Sequence, residues 1–197
     1  MDVTFHRLAG HRYFSTATRG DGVTVRVPGY DRASAIPHDL AHFVAEREFG
    51  MIRGFWGSVA AGALFTNMVV LSGRQRPHAA ERSKRILKAH ADDIGLSEAV
   101  ADAIHEAVEH DLAPEVVLDR MRAHWGIVSP ESPPVAVVDA EGAAAALRRE
   151  LERWSAVPVD QGLTLNWPFR PEHVLTPRPG KSRNGRPPGK SRRHRHH

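Results

Sequence analysis

Hydrophobic and polar residues alternate at three places near the start of the chain: moderately in Val3-Thr4-Phe5 and Tyr13-Phe14-Ser15-Thr16, and cleanly in Val23-Thr24-Val25-Arg26-Val27. A period of two puts every second side chain on one face, so these segments predict half-buried strands, with Arg19-Gly20-Asp21-Gly22 as the turn before the third. Pro28-Gly29 ends this hairpin region. The same alternation returns in Leu163-Thr164-Leu165-Asn166-Trp167 and is halted by Pro168, which cannot donate to a sheet ladder. Between these regions the spacing lengthens to three and four. A first helix starts at Pro37, where a missing N–H costs nothing, and stops near Phe49-Gly50, where glycine can take a left-handed cap. Ser58 to Ala63 is apolar and small, and Leu64 to Ser72 reads as an irregular continuation or a short strand.

Pro77 opens a polar helix to about Asp93, with Ile86, Leu87 and Ile94 as sparse apolar contacts and Gly95 as its stop. Ser97 then caps a helix whose buried stripe is Val100, Ile104, Ala107, Val108 and Leu112. Another runs from Pro114 to Trp125-Gly126, Ser129 to Pro134 is a proline-broken linker, and Asp139 caps a helix through Ala144 to Trp154. The pattern predicts an α+β fold, a mostly helical body packed on a small antiparallel sheet formed by the N-terminal hairpin and the C-terminal strand. No internal repeat is evident.

Composition divides the chain. Its 197 residues, 41% hydrophobic, suffice for one well-buried core and are too few for two large domains. Residues 1–169 read as that single domain. From Arg170 the sequence becomes Pro, Gly, Arg and His with almost no large aliphatics, so residues 170–197 are expected to be disordered. That tail holds nine of the 27 Lys and Arg residues against the single acid Glu172, which leaves residues 1–169 at −4. The sequence pI of about 9.9 therefore describes the tail. Such a tail can contact acidic surfaces nonspecifically through screened attraction, and no sequence-specific nucleic-acid motif accompanies it. Arginine-rich, Ala- and Pro-rich usage reads as GC-rich bacterial coding.

With no cysteine, a thiol nucleophile and a thiolate metal site are excluded, and a transition metal would have to be held by His, Asp or Glu. The start lacks the basic flank and apolar run of a secretory signal. The most apolar stretch, Val59 to Leu71, is interrupted by Gly62, Thr66 and Asn67, so a cytoplasmic protein without a membrane span is expected. No G-x-S-x-G, G-x-G-x-x-G or Walker pattern occurs.

The candidate chemistry lies in Pro37-His38-Asp39-Leu40-Ala41-His42-Phe43-Val44-Ala45-Glu46. At about 100° per residue His38, His42 and Glu46 follow one another along one helix face, while Leu40, Phe43 and Val44 form the apolar stripe. Two histidines four apart can reach one metal, which makes His38 and His42 candidate ligands. Asp39 and Glu46 are the candidate acid/base groups. Asp39 stands where the H-E-x-x-H helix carries its general base, but is shorter by one carbon–carbon bond, about 1.5 Å. Glu46 lies about 12 Å along the axis from His38 and suits an acceptor for an imidazole N–H better than a ligand to the same ion. A further ligand would come from Ile104-His105-Glu106-Ala107-Val108-Glu109-His110, where His105 and Glu109 share a face. Phe55-Trp56, between Gly54 and Gly57, reads first as core and second as the lining of a ligand pocket. Arg74-Gln75-Arg76-Pro77-His78 is a weak anion signal.

The PHDLAHFxxE helix, the Gly54-Phe55-Trp56-Gly57 segment and the terminal Leu163-Thr164-Leu165-Asn166-Trp167-Pro168 together resemble a family of actinobacterial proteins of similar length. The resemblance implies a shared fold over most of residues 1–168 and brings no activity, cofactor or site with it. His38 and His42 also partly resemble the zincin motif, with its glutamate replaced by Asp39. Two functions follow. The residues favour a small binding or interaction domain with a polar His/Glu helix face; the alternative is a metal-dependent hydrolase-like protein holding a divalent ion such as zinc through His38 and His42.

Overall fold

The structure, a computed structural model, describes residues 1–29, 34–130 and 137–169. The predicted tail and most of the predicted Ser129 to Pro134 linker lie outside these. The alternating segments form β1 (Asp2–Arg7), β2 (Tyr13–Thr18), β3 (Thr24–Pro28) and, at the C-terminal end, β5 (Gly162–Asn166), joined by the short β4 (Val69–Ser72). All neighbours are antiparallel in the order β4-β3-β2-β1-β5, so the last strand pairs with the first as the sequence pattern predicts. Phe5 lies opposite Ser15 on one side and Leu163 on the other. That register puts Val3, Phe5, Ala17, Val25, Val27, Leu163 and Leu165 on the buried face. Threonines populate the other face, where Thr4 and Thr164 are linked by a 2.8 Å side-chain hydrogen bond.

Six helices cover the inner face among the described residues: α1 (His38–Glu48), α2 (Phe55–Ala61), α3 (Ala79–Ala89), α4 (Ala91–Glu109), α5 (Pro114–Val128) and α6 (Val137–Ser155). None is long and apolar enough to cross a membrane. Both ends of α1 follow the sequence signals: Pro37 precedes its first residue, and Gly50 just beyond it has φ +64°. α1 is central to the molecule: Phe43 and Asp39 meet Phe5 and Ser15 of the sheet on one side, and α4 and α6 pack along the other. Phe43 projects into an aromatic core, its ring 5.9 Å from Phe5, 6.1 Å from Trp56 and 5.5 Å from Trp167, all edge-on.

Three sequence expectations are corrected. The polar face of α1 was expected to stand clear of the buried stripe, yet every residue from Asp39 to Glu46 is buried, because α2 and α4 close over the side the sheet leaves free. The boundary expected at Gly95-Ser97 falls instead at His90, whose buried ring lies 2.9 Å from the Ser58 hydroxyl. Gly95 is inside α4, where a Cβ would meet Val128 Cγ1 at 3.1 Å, so it permits close approach of α5 rather than ending a helix. Ser97 donates to the Ile94 carbonyl at 2.9 Å and caps nothing. Finally, α6 begins two residues ahead of Asp139, which sits in its first turn.

Candidate metal centre

The centre is built outward from Glu46, which is completely buried in the last turns of α1. Its Oε1 accepts the Phe55 N–H at 2.8 Å and its Oε2 the Trp56 N–H at 3.0 Å, two donors that the opening turn of α2 leaves without intrahelical partners. Gly54 makes this possible: a Cβ there would lie 2.6 Å from the Glu46 carboxylate and 2.9 Å from Ser97 Cβ. One turn back along α1, His42 is 3% exposed and turns Nδ1 toward Glu46 Oε1 at 3.2 Å. Glu46 is thus an acceptor that fixes an imidazole, as its spacing from His42 predicts.

The other nitrogen of His42 points outward. Its Nε2 lies 3.1 Å from Oε2 of Glu98 on α4, and His38 Nε2 lies 3.5 Å from the same oxygen. One donor atom each from His38, His42 and Glu98 falls within 4.8 Å of the other two. Sequence reasoning brings the two histidines together and misses Glu98, although it falls in the first turn of the helix expected after Ser97. In a continuous α4, Glu98 and His105 are seven residues apart and therefore share a face; that heptad spacing is the signal that could have found it.

His105 and Glu109 take other positions. The His105 ring lies 6.0 Å from that of His38, but its Nε2 is 3.0 Å from the Ser34 hydroxyl and 4.0 Å from Glu109. Neither belongs to the three-residue group. Asp39 is buried beside it, accepting from the Ser15 hydroxyl at 2.9 Å, while its main-chain carbonyl accepts the Trp56 indole N–H at 3.0 Å. Residues Arg74 to His78 are exposed. The Phe55-Trp56 pair divides its expected roles: Trp56 is core, and half-buried Phe55 lines a cavity.

Electrostatics bind the group together. Burial disfavours the charged His42, but the hydrogen bonds and charges of Glu46 and Glu98 outweigh it and push its pKa up to about 10. An imidazolium donates from both nitrogens, so the cation satisfies both carboxylates. Hydrogen bonds from His38 and His42 hold the Glu98 carboxyl well below its ordinary range, against a smaller opposing effect of burial. Burial raises Asp39 to about 6, opposed by the Ser15 hydroxyl and the nearby His42 and His38.

The three donors open onto a cavity of about 200 Å³, bordered by His38, Asp39, His42 and Glu98 and walled by Val27, Pro28, Phe55, Phe65, Thr66 and Met68. Glu98 is the exposed member, its side chain 52% accessible. Comparison with protein-family models, curated proteins and solved structures finds no match for the chain.

Proposed function

We propose that the protein binds a divalent transition metal through His38 Nε2, His42 Nε2 and a Glu98 carboxylate oxygen, the ion displacing the proton that His42 Nε2 otherwise gives to Glu98, and presents it to the adjacent cavity as a hydrolase-like Lewis-acid centre. The observation that carries this reading is the donor spacing. The two histidine nitrogens stand 3.1 and 3.5 Å from one Glu98 oxygen and all three donors lie within 4.8 Å of one another; tetrahedral coordination at 2.0 to 2.2 Å needs edges of about 3.3 to 3.6 Å, which small side-chain rotations would supply. Two imidazoles and one carboxylate form the ligand set of catalytic rather than structural zinc, leaving a position for water or substrate. Glu46 on the far nitrogen of His42 supplies the carboxylate–histidine–metal relay that orients such ligands. Asp39, on the cavity wall, is the candidate base for a bound water.

The test is elemental analysis and zinc titration of untagged protein, beside His42→Ala, Glu98→Ala and a chain lacking the His-rich residues 170–197. One equivalent of metal that persists without the tail and is lost in both point variants is expected. Metal binding unchanged in His42→Ala and Glu98→Ala, or none in the tail-less chain, would refute the reading.

A further inference from the structure

We infer that the open side of this centre takes a compact, uncharged ligand carrying an aromatic or branched apolar group next to its metal-binding donor, and discriminates against phosphate and other polyanions. The inference rests on the metal reading above and concerns the cavity rather than the ligand set.

Size sets the first limit. An apolar cavity of roughly 150 Å³ accommodates benzene, so the approximately 200 Å³ here holds one ring or branched chain with a small functional group. The wall sets the second. Phe55 and Phe65 stand 4.8 Å apart with a 32° tilt, and Phe55 lies 5.7 Å from the His42 ring, so the aromatic surface begins beside the proposed ion. Val27, Pro28 and Met68 complete an apolar lining that a ligand's hydrocarbon would cover. Phe55 is also held in register with the ligand set, because its backbone N–H shares the Glu46 carboxylate with His42.

Charge sets the third limit. Among the described residues none that lines the cavity is Lys or Arg, and the acids there are Asp39 and Glu98. Sites that bind transferable phosphoryl groups surround them with arginine, lysine or magnesium to neutralise several charges. Here one divalent ion, already facing Glu98 and backed by Glu46, would meet a polyanion alone, with Asp39 repelling it. Thr66 also borders the cavity, a neutral polar residue suited to a neutral ligand rather than to an anion.

The experiment loads the full chain with one equivalent of cobalt(II) and follows its visible absorption while benzohydroxamic acid, acetohydroxamic acid and phenylphosphonate are titrated separately. Both hydroxamic acids are uncharged in solution at neutral pH, and each gives up one N–O–H proton to the solvent as it chelates through the same group, so a tenfold difference between them reads the wall. Benzohydroxamic acid is expected to bind at least tenfold tighter than acetohydroxamic acid and at least tenfold tighter than phenylphosphonate. Phe65→Ala should reduce the preference between the hydroxamic acids to threefold or less, and Phe65→Leu, which keeps the wall apolar and filled, should retain a larger share of it. Equal affinities for the two hydroxamic acids, or phenylphosphonate binding as tightly as benzohydroxamic acid, would overturn the inference while a four-coordinate cobalt spectrum leaves the metal reading standing. If that spectrum is absent, or unchanged in His42→Ala, the metal reading fails and this inference with it.

Discussion

The chain carries two histidine and carboxylate rows at helical spacing, and they meet opposite fates. The row on α1 is buried from Asp39 to Glu46, and its polar atoms converge with Glu98 and the start of α2. In the row on α4, Glu106 pairs with Arg120, His105 with Ser34, and His110 is exposed. Spacing is the same in both. What separates them is the second layer: α1 lies between the sheet and other helices, so its polar residues must find protein partners, whereas at the end of α4 Glu109 and His110 reach the surface and can be satisfied by water while only His105 and Glu106 need protein partners.

Removing Glu46 should break the contrast most severely. Glu46→Ala leaves the Phe55 and Trp56 N–H groups and His42 without their acceptor, and is expected to cost about 3 to 5 kcal/mol by urea denaturation. A loss below about 1 kcal/mol would mean that the buried row is no more demanding than the exposed one. Gly54→Ala attacks the same carboxylate from the other side, and overpacking of this kind should cost about 1 to 3 kcal/mol. In zinc titrations, His42→Ala should lower affinity at least a hundredfold and His110→Ala less than twofold. Equal effects would erase the distinction.

The pH dependence sharpens the same point. The folded pKa of His42 is raised from 6.5 to about 10, so the stability it contributes is fully present below pH 6.5 and is lost as pH rises toward 10. In thermal denaturation of chelator-treated protein, wild type should therefore fall in stability between pH 7 and 10 more steeply than His42→Gln. Parallel profiles would show that the buried imidazole carries no charge. The smallest effect belongs to the α4 row, where Glu109→Ala should change stability by less than about 0.5 kcal/mol, since exposed pairs contribute little.

Most of the sheet was legible because alternation reports directly which face a strand buries, and the β1–β5 pairing follows from two such strands needing a common core. Helix boundaries were less so. Gly95 and Ser97 carry the local signals of a stop and a start, but packing of α4 against α5 uses the glycine for close approach, and the break moves to His90, held by Ser58. Of the candidate centre, His38, His42 and the supporting role of Glu46 follow from spacing within one helix. Glu98 is 52 residues beyond Glu46, and no local pattern joins them.

The sequence by itself determined β1, β2, β3 and β5, the sidedness of the sheet, the exclusion of thiol chemistry and the alignment of His38, His42 and Glu46, since each depends on covalent identity or on the period of one element; β4 it left open. Tertiary structure alone decided that this polar face is buried, that Glu98 comes within reach of both His38 and His42, and that Phe55 and Phe65 wall a cavity beside them. These depend on how separate elements dock. Docking is driven by the summed apolar burial of α1, α2, α4 and the sheet, a nonlocal and nondirectional force that leaves no mark at the positions whose polar atoms it brings together.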